Sequence, residues 1–533
     1  MSAFDPFDRS GRLLGLNEVS RRKFLAGTAV FGLSAAFGTG IGLGSARAAE
    51  PKQGGHFKLG ISGGSTTDTL DPAHYSDNYM QSIGHAIHNF LTEVNDEGQL
   101  VGELATKWEP SADASQWVFT LRDGVTFHDG KPVTADDVVA SINHHRGEKS
   151  TSAAKVIVEP IKDIKADGKN KVVVQLDAGN ADFPFLMSDY HLAIMPAKDG
   201  SADWESGIGC GAYVLDRLDP GVECHVTKNK NYWKSDRGWF DEVSFLSIKD
   251  AAARTNALMT GQIHAMNRVD LKTVNLLKRN PQIEIASIAG GQHYTAPMLT
   301  DVAPFDNNDV RMALKFGIDR QAMVDTILNG FGEVGNDQPI NSTYRYFADL
   351  PQRTYDPDQA KHYLKKAGMD RLTVNLSAAD AAFPGAVDAA VLFKEQAAKA
   401  NIDINVVREP DDGYWDNVWM KKPFCMSYWG GKATADWAFS VGYSEGAAWN
   451  DTHWKNDRFN KLLVEARSEL DEKKRAEMYA EMQRLVRDEG GVVLPMFANY
   501  VDGLRKNVGH GKIASNWDLD GLRAAERWWF TDV

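Results

Sequence analysis

The chain has 533 residues, too many for one hydrophobic core, and its length suggests about three domains. Hydrophobic residues are 43% and charged residues 25%, an ordinary globular balance that excludes wholesale disorder and a coiled coil. With 59 Lys plus Arg against 72 Asp plus Glu, the net charge of −13 excludes a general nucleic-acid binder, which needs a basic face to displace counterions.

The chain opens on an address. Arg21-Arg22-Lys23-Phe24-Leu25 precedes a Gly- and Ala-rich apolar run from Ala26 to Gly44, and Ala46-Arg47-Ala48 supplies a small-x-small cleavage site. The paired arginines before Phe-Leu match a twin-arginine export signal, and the glycines in the run argue against a permanent anchor. Cleavage is expected after Ala48. The leader carries six basic and three acidic residues, so the remainder is near −16. No later stretch reads as a membrane span, and a soluble, periplasmic, monomeric protein is expected.

Strands and helices then alternate irregularly, which predicts an α/β protein with insertions. Phe57 to Leu59 reads as the first strand and Lys171 to Leu176 as another. Gly211 to Arg217 and Val222 to Thr227 flank Asp219-Pro220-Gly221, a hairpin signal. Val310, Ala313, Leu314, Ile318, Met323, Ile327 and Leu328 share one face of a single helix expected over 309–328, stopped by Asn329-Gly330. Asp356-Pro357 opens a helix that ends at Ala367-Gly368. Amphipathic helices follow at 457–470 and 472–488, and Val492 to Phe497 re-enters a sheet.

Catalytic and metal motifs are weak. Gly60-Ile61-Ser62-Gly63-Gly64 fits a nucleophile elbow formally, but Ser65 to Asp68 reads as a loop where the elbow needs a helix. His85 with His88, and His144 with His145, lack a third ligand at metal spacing. Cys210, Cys224 and Cys425 leave room for at most one disulfide and form no CxxC. Neither a cofactor nor a metal is called for.

One segment departs from the average. Between Tyr414 and Trp454 lie 11 aromatics in 41 positions, against 10% for the whole chain. Gly430-Gly431, Gly442 and Gly446 interleave with them. Such a segment supplies flat apolar walls for a ligand and close backbone approach for its polar groups. Two-thirds of these aromatics are expected in the core, with Tyr428, Trp429 and Trp437 facing a cleft.

Several stretches resemble the periplasmic solute-binding proteins of ABC importers, in the group with the dipeptide, oligopeptide, glutathione and nickel binders (family 5). They are Leu70-Asp71-Pro72; Gly102-Glu-Leu-Ala-Thr-Lys-Trp108 running into the segment from Phe119 to Val138; Pro304-Phe-Asp-Asn-Asn-Asp-Val-Arg-Met-Ala-Leu with Ile318-Asp-Arg320; and Tyr355-Asp-Pro-Asp-Gln-Ala-Lys361. The resemblance implies a type II, cluster C-like binding protein. Its two lobes would close on a ligand, with an extra α/β domain inserted in lobe I. On that analogy lobe I spans 49–92, 207–292 and 497–533, the insert 93–206, and lobe II 293–496. An ABC permease in the inner membrane is the implied partner, and no catalysis is expected.

The resemblance also implies a departure. Peptide binders place an aspartate three residues after a lobe II tryptophan to hold the ligand ammonium; with that tryptophan at Trp429, Lys432 stands in its place. Asp436 is the expected substitute. Trp429-Gly-Gly-Lys-Ala-Thr-Ala-Asp-Trp437 also resembles the glutathione-binding branch, whose ligand is anionic. A small peptide or peptide-like solute with an exposed carboxylate is therefore expected. Matching regions add Tyr75, Asn78, Tyr79, His293, Tyr294 and Met298 to Tyr428, Trp429, Gly430, Lys432, Asp436 and Trp437 as ligand contacts. Two alternatives stay open: a nickel or haem receptor using His85, His88 or His293, and a secreted serine hydrolase using Ser62.

Overall fold

A computed structural model describes residues 51–411, 413–447 and 449–532. The leader from Met1 to Ala48 lies outside the described residues. The rest forms two lobes with a smaller sheet domain inserted in the first.

Lobe I is built on a seven-stranded mixed sheet. Its strands run, in spatial order, Tyr213–Asp219, Glu223–Lys228, Glu242–Ser247, His56–Ile61, Ala265–Met266, Tyr500–Arg505 and Ile283–Ile288. The expected hairpin is present, with Gly221 at φ +71° in its turn. Phe57, Leu59, Ile61, Val226, Val243 and Phe245 alternate onto one face and pack beneath the helix Asn78–Ile87. His56, Glu242, Ser244 and His225 alternate onto the other.

The inserted domain is a four-stranded antiparallel sheet, Ala105–Pro110, Gln116–Leu121, Lys171–Leu176 and Ile161–Ala166, under the helix Ala135–His144. The Phe119-to-Val138 segment is mostly its core: Phe119, Leu121, Val125, Phe127 and Val138 are buried together. Thr134 and Asp137 form a capping box at the helix start. A buried ion network ties this domain to lobe I. Glu103 accepts from Lys234 at 2.6 Å and from Arg523 at 3.0 Å, while Glu93 accepts from Arg237 at 2.7 Å and Arg527 at 2.8 Å. Glu526 joins through Lys234 and Arg523.

Lobe II holds a four-stranded antiparallel sheet, Gly332–Val334, Val492–Ala498, His293–Pro297 and Ser427–Trp429, and a parallel pair, Leu372–Ala378 with Ile402–Arg408. The single helix expected over 309–328 is two, Asn308–Phe316 and Arg320–Ile327. Gly317 ends the first, and the Asp319 carboxylate accepts from Ala322 N–H to cap the second. The apolar period runs through the break because both halves face the same core. The resembling motif that begins at Pro304 is structural here. Arg311 donates to Glu489 O at 2.6 Å, and buried Lys315 donates to Arg487 O at 2.9 Å and Gly490 O at 2.8 Å. Both side chains thus close the C-terminus of the helix Glu472–Glu489, where carbonyls are left over. Arg320 and Arg353 converge on Asp337, which in turn accepts from Leu494 N–H.

Two chain crossings join the lobes, one between Ile288 and His293 and one at Asn499. The last lobe II strand runs to Ala498, so the second crossing falls slightly beyond the boundary expected before 497. A Cβ on Gly291 would lie 2.9 Å from the Gly431 Cα, so the first crossing and the loop after Trp429 touch backbone to backbone. Among the described residues no helix is long and apolar enough to cross a membrane.

Candidate ligand-binding site

The crossing places Ser427–Trp429 beside His293–Pro297, with Trp429 opposite His293 and Tyr428 opposite Tyr294. Because side chains alternate along a strand, this pairing sorts the residues by face. Tyr428 is 43% exposed, whereas Tyr294 stacks on Phe383 with centroids 4.0 Å apart. On the opposite face His293 Nε2, Thr295 Oγ1 and Ser427 Oγ are buried with no hydrogen-bond partner among the described residues. His293 Nδ1 bonds Gly291 O, and burial, with Lys432 adding to it, pushes the imidazole down to about 4.

Aromatic rings extend from this edge. Trp415, Trp419, Tyr428, Trp429 and Trp449 contact one another edge-on or tilted, 5.5 to 6.4 Å apart. The Trp419 and Trp429 indoles both donate to Asp451 Oδ2, at 3.1 and 3.2 Å. Burial pushes the Asp451 carboxyl up to about 6, against the opposing pull of those two donors. Five of the eleven aromatics between 414 and 454 are buried, fewer than expected, because Trp415, Tyr428 and Trp449 stand exposed on this row.

Lys432 follows the Gly430-Gly431 turn, half-buried. Its N–H donates to the Tyr344 hydroxyl at 2.9 Å, and its ammonium lies 5.8 Å from the Trp437 ring centre. Desolvation lowers its pKa, and no carboxylate among the described residues pairs with it. Asp436 does not substitute for the missing ammonium partner. Its side chain is turned to Arg467, at 3.2 Å, and to the boundary with the inserted domain. Trp437 packs against the inserted domain's core. Tyr344 also lines a cavity of about 620 Å³ between the inserted domain and lobe II, with Trp108, Trp117, Phe185 and Arg345.

Lobe I contributes Arg268, which is mostly exposed and 3.5 Å from Asp518. Asn78 spans both Asp518 oxygens at 2.6 and 2.7 Å, so this expected contact is a support for a buried carboxylate. Asp518 opens a turn in which Leu519, Asp520, Gly521 and Leu522 all have positive φ. Such a left-handed run is unfavourable for L-residues, and the Asp520 carboxylate holds it by accepting from Ala514 N–H and the Trp528 indole. Arg268 acts electrostatically on Tyr294, opposing the rise that burial imposes on that phenol.

Three expected contacts are core side chains instead. Tyr75 and Tyr79 are buried in lobe I, their hydroxyls donating to Leu70 O and Phe245 O, and Met298 is fully buried in lobe II. Arg268, Tyr344, Asp451 and Asp518 were missed, since they come from four separate stretches with no shared spacing. Ser62 Oγ is buried with no hydrogen-bond partner among the described residues, so none of them is placed as a base to take its proton. His85 and His88 are buried, and desolvation pushes both down to about 3. Neither they nor His293 gather with other ligating side chains among the described residues. The three cysteines are free and buried.

The model of the bacterial extracellular solute-binding proteins, family 5 (middle region), matches residues 99–451. The chain belongs to that family. This solute-binding protein is 25% identical to the probable D,D-dipeptide-binding periplasmic protein DdpA of Escherichia coli K12, over 87% of its own length and 92% of the relative's. It is 24% identical to di/tripeptide-binding protein 1 of Pseudomonas aeruginosa UCBPP-PA14, over 82% and 88%. Its fold matches the substrate-binding protein CtaP of Listeria monocytogenes at a TM-score of 0.78 and 19% identity, covering 90% of this chain and all of that one. The DppA protein of Helicobacter pylori, solved with the peptide STSA, matches at 0.71 and 21%, covering 90% and 99%. These likenesses show a two-lobed, type II binding-protein fold.

Proposed function

We propose that this protein captures a small peptide or peptide-like solute bearing a carboxylate and delivers it to an ABC import permease. Lys432 carries the reading. An ammonium stripped of part of its water and given no counter-ion is an unfavourable arrangement that a ligand anion relieves. Arg268 adds a second cation from lobe I, and the exposed ring of Tyr428 and the partly buried ring of Trp429 offer flat walls to the ligand body. Relatives named for D,D-dipeptides, di- and tripeptides and glutathione fit a peptide-like solute.

The same reading takes the domain limits as 49–92, 207–292 and 499–533 for lobe I, 93–206 for the insert and 293–498 for lobe II. It places the monomeric protein in the periplasm after twin-arginine export and cleavage at Ala48. The lobes turn about Gly291 and Asn499, and closure removes water from the site and strengthens its charge contacts. The protein acts by binding, without turnover.

A tryptophan-fluorescence titration with glutathione and a dipeptide panel, each tested with free and amidated carboxylates, addresses the ligand class. Free acids should bind and their amides should lose most of the affinity. Equal binding of the amides would reject the carboxylate reading.

A further inference from the structure

On the lobe I sheet, three neighbouring strands bring His56, His225 and Glu242 together, none of them part of the proposed ligand site. The register makes this necessary. His56 pairs with Glu242 across one strand boundary and His225 pairs with Ser244 across the next, so all four side chains rise from the same face. His56 Nδ1 lies 3.6 Å and His225 Nε2 lies 3.4 Å from the same oxygen, Glu242 Oε2.

The second nitrogen of each ring decides what these approaches mean. Ser244 Oγ donates to Glu223 Oε1 at 2.9 Å, and His56 Nε2 stands 2.9 Å from that hydroxyl. The hydroxyl's one proton is used, so His56 donates from Nε2 and its Nδ1 is a lone pair. His225 Nδ1 stands 3.1 Å from Asp216 Oδ2, an acceptor, so the neutral ring carries its proton on Nδ1 and offers Nε2 as a lone pair. With both rings neutral, two imidazole lone pairs face one carboxylate oxygen. Without a cation between them the three repel, whereas with one they form a ligand set.

We propose that His56 Nδ1, His225 Nε2 and Glu242 bind a divalent transition metal of the zinc class, with water completing the coordination. The three ligand atoms lie within 4.8 Å of one another. Metal–ligand lengths of about 2.0–2.1 Å give a tetrahedral edge of roughly 3.3 Å, close to both approaches to Glu242. Asp216 and Ser244 take the role of outer partners that fix each imidazole's tautomer and orientation. Two imidazoles and a carboxylate suit zinc, nickel or copper over magnesium or calcium. A bound ion would tie three strands together and so stabilise lobe I.

The test uses the untagged mature chain, stripped with chelator and titrated with zinc chloride by calorimetry. Wild type should take up one equivalent and melt at a higher temperature when loaded. His56→Ala and His225→Ala should each weaken uptake at least tenfold, and Asp216→Asn by about 10- to 100-fold, while the metal-free melting curves stay close to wild type. Copper(II) serves as a second probe. Its electron paramagnetic resonance should show two imidazole nitrogens in wild type and one in each histidine variant. If wild type takes up no zinc in molar excess, or the histidine variants bind it as tightly, the cluster is an ion pair with a protonated His225 and the proposal fails.

Discussion

Arg467 holds Asp436: its Nε stands 3.2 Å from one carboxylate oxygen and 3.3 Å from the other. The carboxylate that the sequence offers as an ammonium partner is thereby committed to the protein. Lys432, four residues earlier, is left as the charged group of this loop without a counter-ion.

The two residues should therefore behave differently. Removing one member of a desolvated charge pair costs about 2–5 kcal/mol, so Lys432→Ala should weaken binding of the natural anionic solute by roughly 30-fold or more. Asp436→Asn should keep near-normal affinity and lose thermal stability, because Arg467 loses its partner. Calorimetric titration and melting of both variants separate these outcomes. A Lys432→Ala protein that binds like wild type would make the lysine an ordinary loop residue.

Asp182 and Arg475 join the inserted domain to lobe II at 2.7 Å, both buried. Arg475→Met leaves the Asp182 carboxylate buried and unpaired, at a cost of about 3–5 kcal/mol. Asp182→Leu combined with Arg475→Met should recover much of that loss. Scattering should show the single variant expanded and the double variant compact. Equal radii of gyration and melting temperatures for all three proteins would remove the pair's assigned role.

Acid should release the inserted domain from lobe I. Burial alone would raise the Glu93 and Glu526 carboxyls, but the cations around them (Arg523, Lys234 and Arg237, with Arg527 at Glu93) hold both well below the ordinary 4.5. Their contribution to stability is complete above that value and is lost as pH falls through the folded-state values. Glu526→Gln should weaken the junction at neutral pH and flatten this acid dependence. Hydrogen exchange at 92–102 and 523–527 across a pH series reads it directly, and an unchanged profile in the variant would count against the network.

Export is tested by Arg21→Lys with Arg22→Lys. The twin-arginine receptor reads the pair itself, so this precursor should accumulate in the cytoplasm. Normal processing of the double variant would assign export to another route.

Much of the architecture was legible because it follows local rules. The Asp219-Pro220-Gly221 turn, the Asp356 cap and the stop at Asn329-Gly330 depend on residues next to one another. The break at Gly317 was hidden because the apolar period continues across it. The site was less legible. Tyr75 and Tyr79 fall in stretches that match the family's pocket regions, and only the packing of this segment into the lobe I core turns them inward. Asp451 could not be linked to Trp419 and Trp429 by spacing, and Arg268 meets the site only through the crossing strands. Lys432 was found because it stands where a charge of opposite sign was expected.

The central claim is that Lys432 holds the anionic end of a captured solute. Mass spectrometry of small molecules released by denaturing natively purified wild-type and Lys432→Ala protein tests it most directly. The account predicts a peptide-like compound with a free carboxylate, near one equivalent in wild type and strongly depleted in the variant. A released ligand without an acidic group, or equal recovery from both proteins, would contradict it.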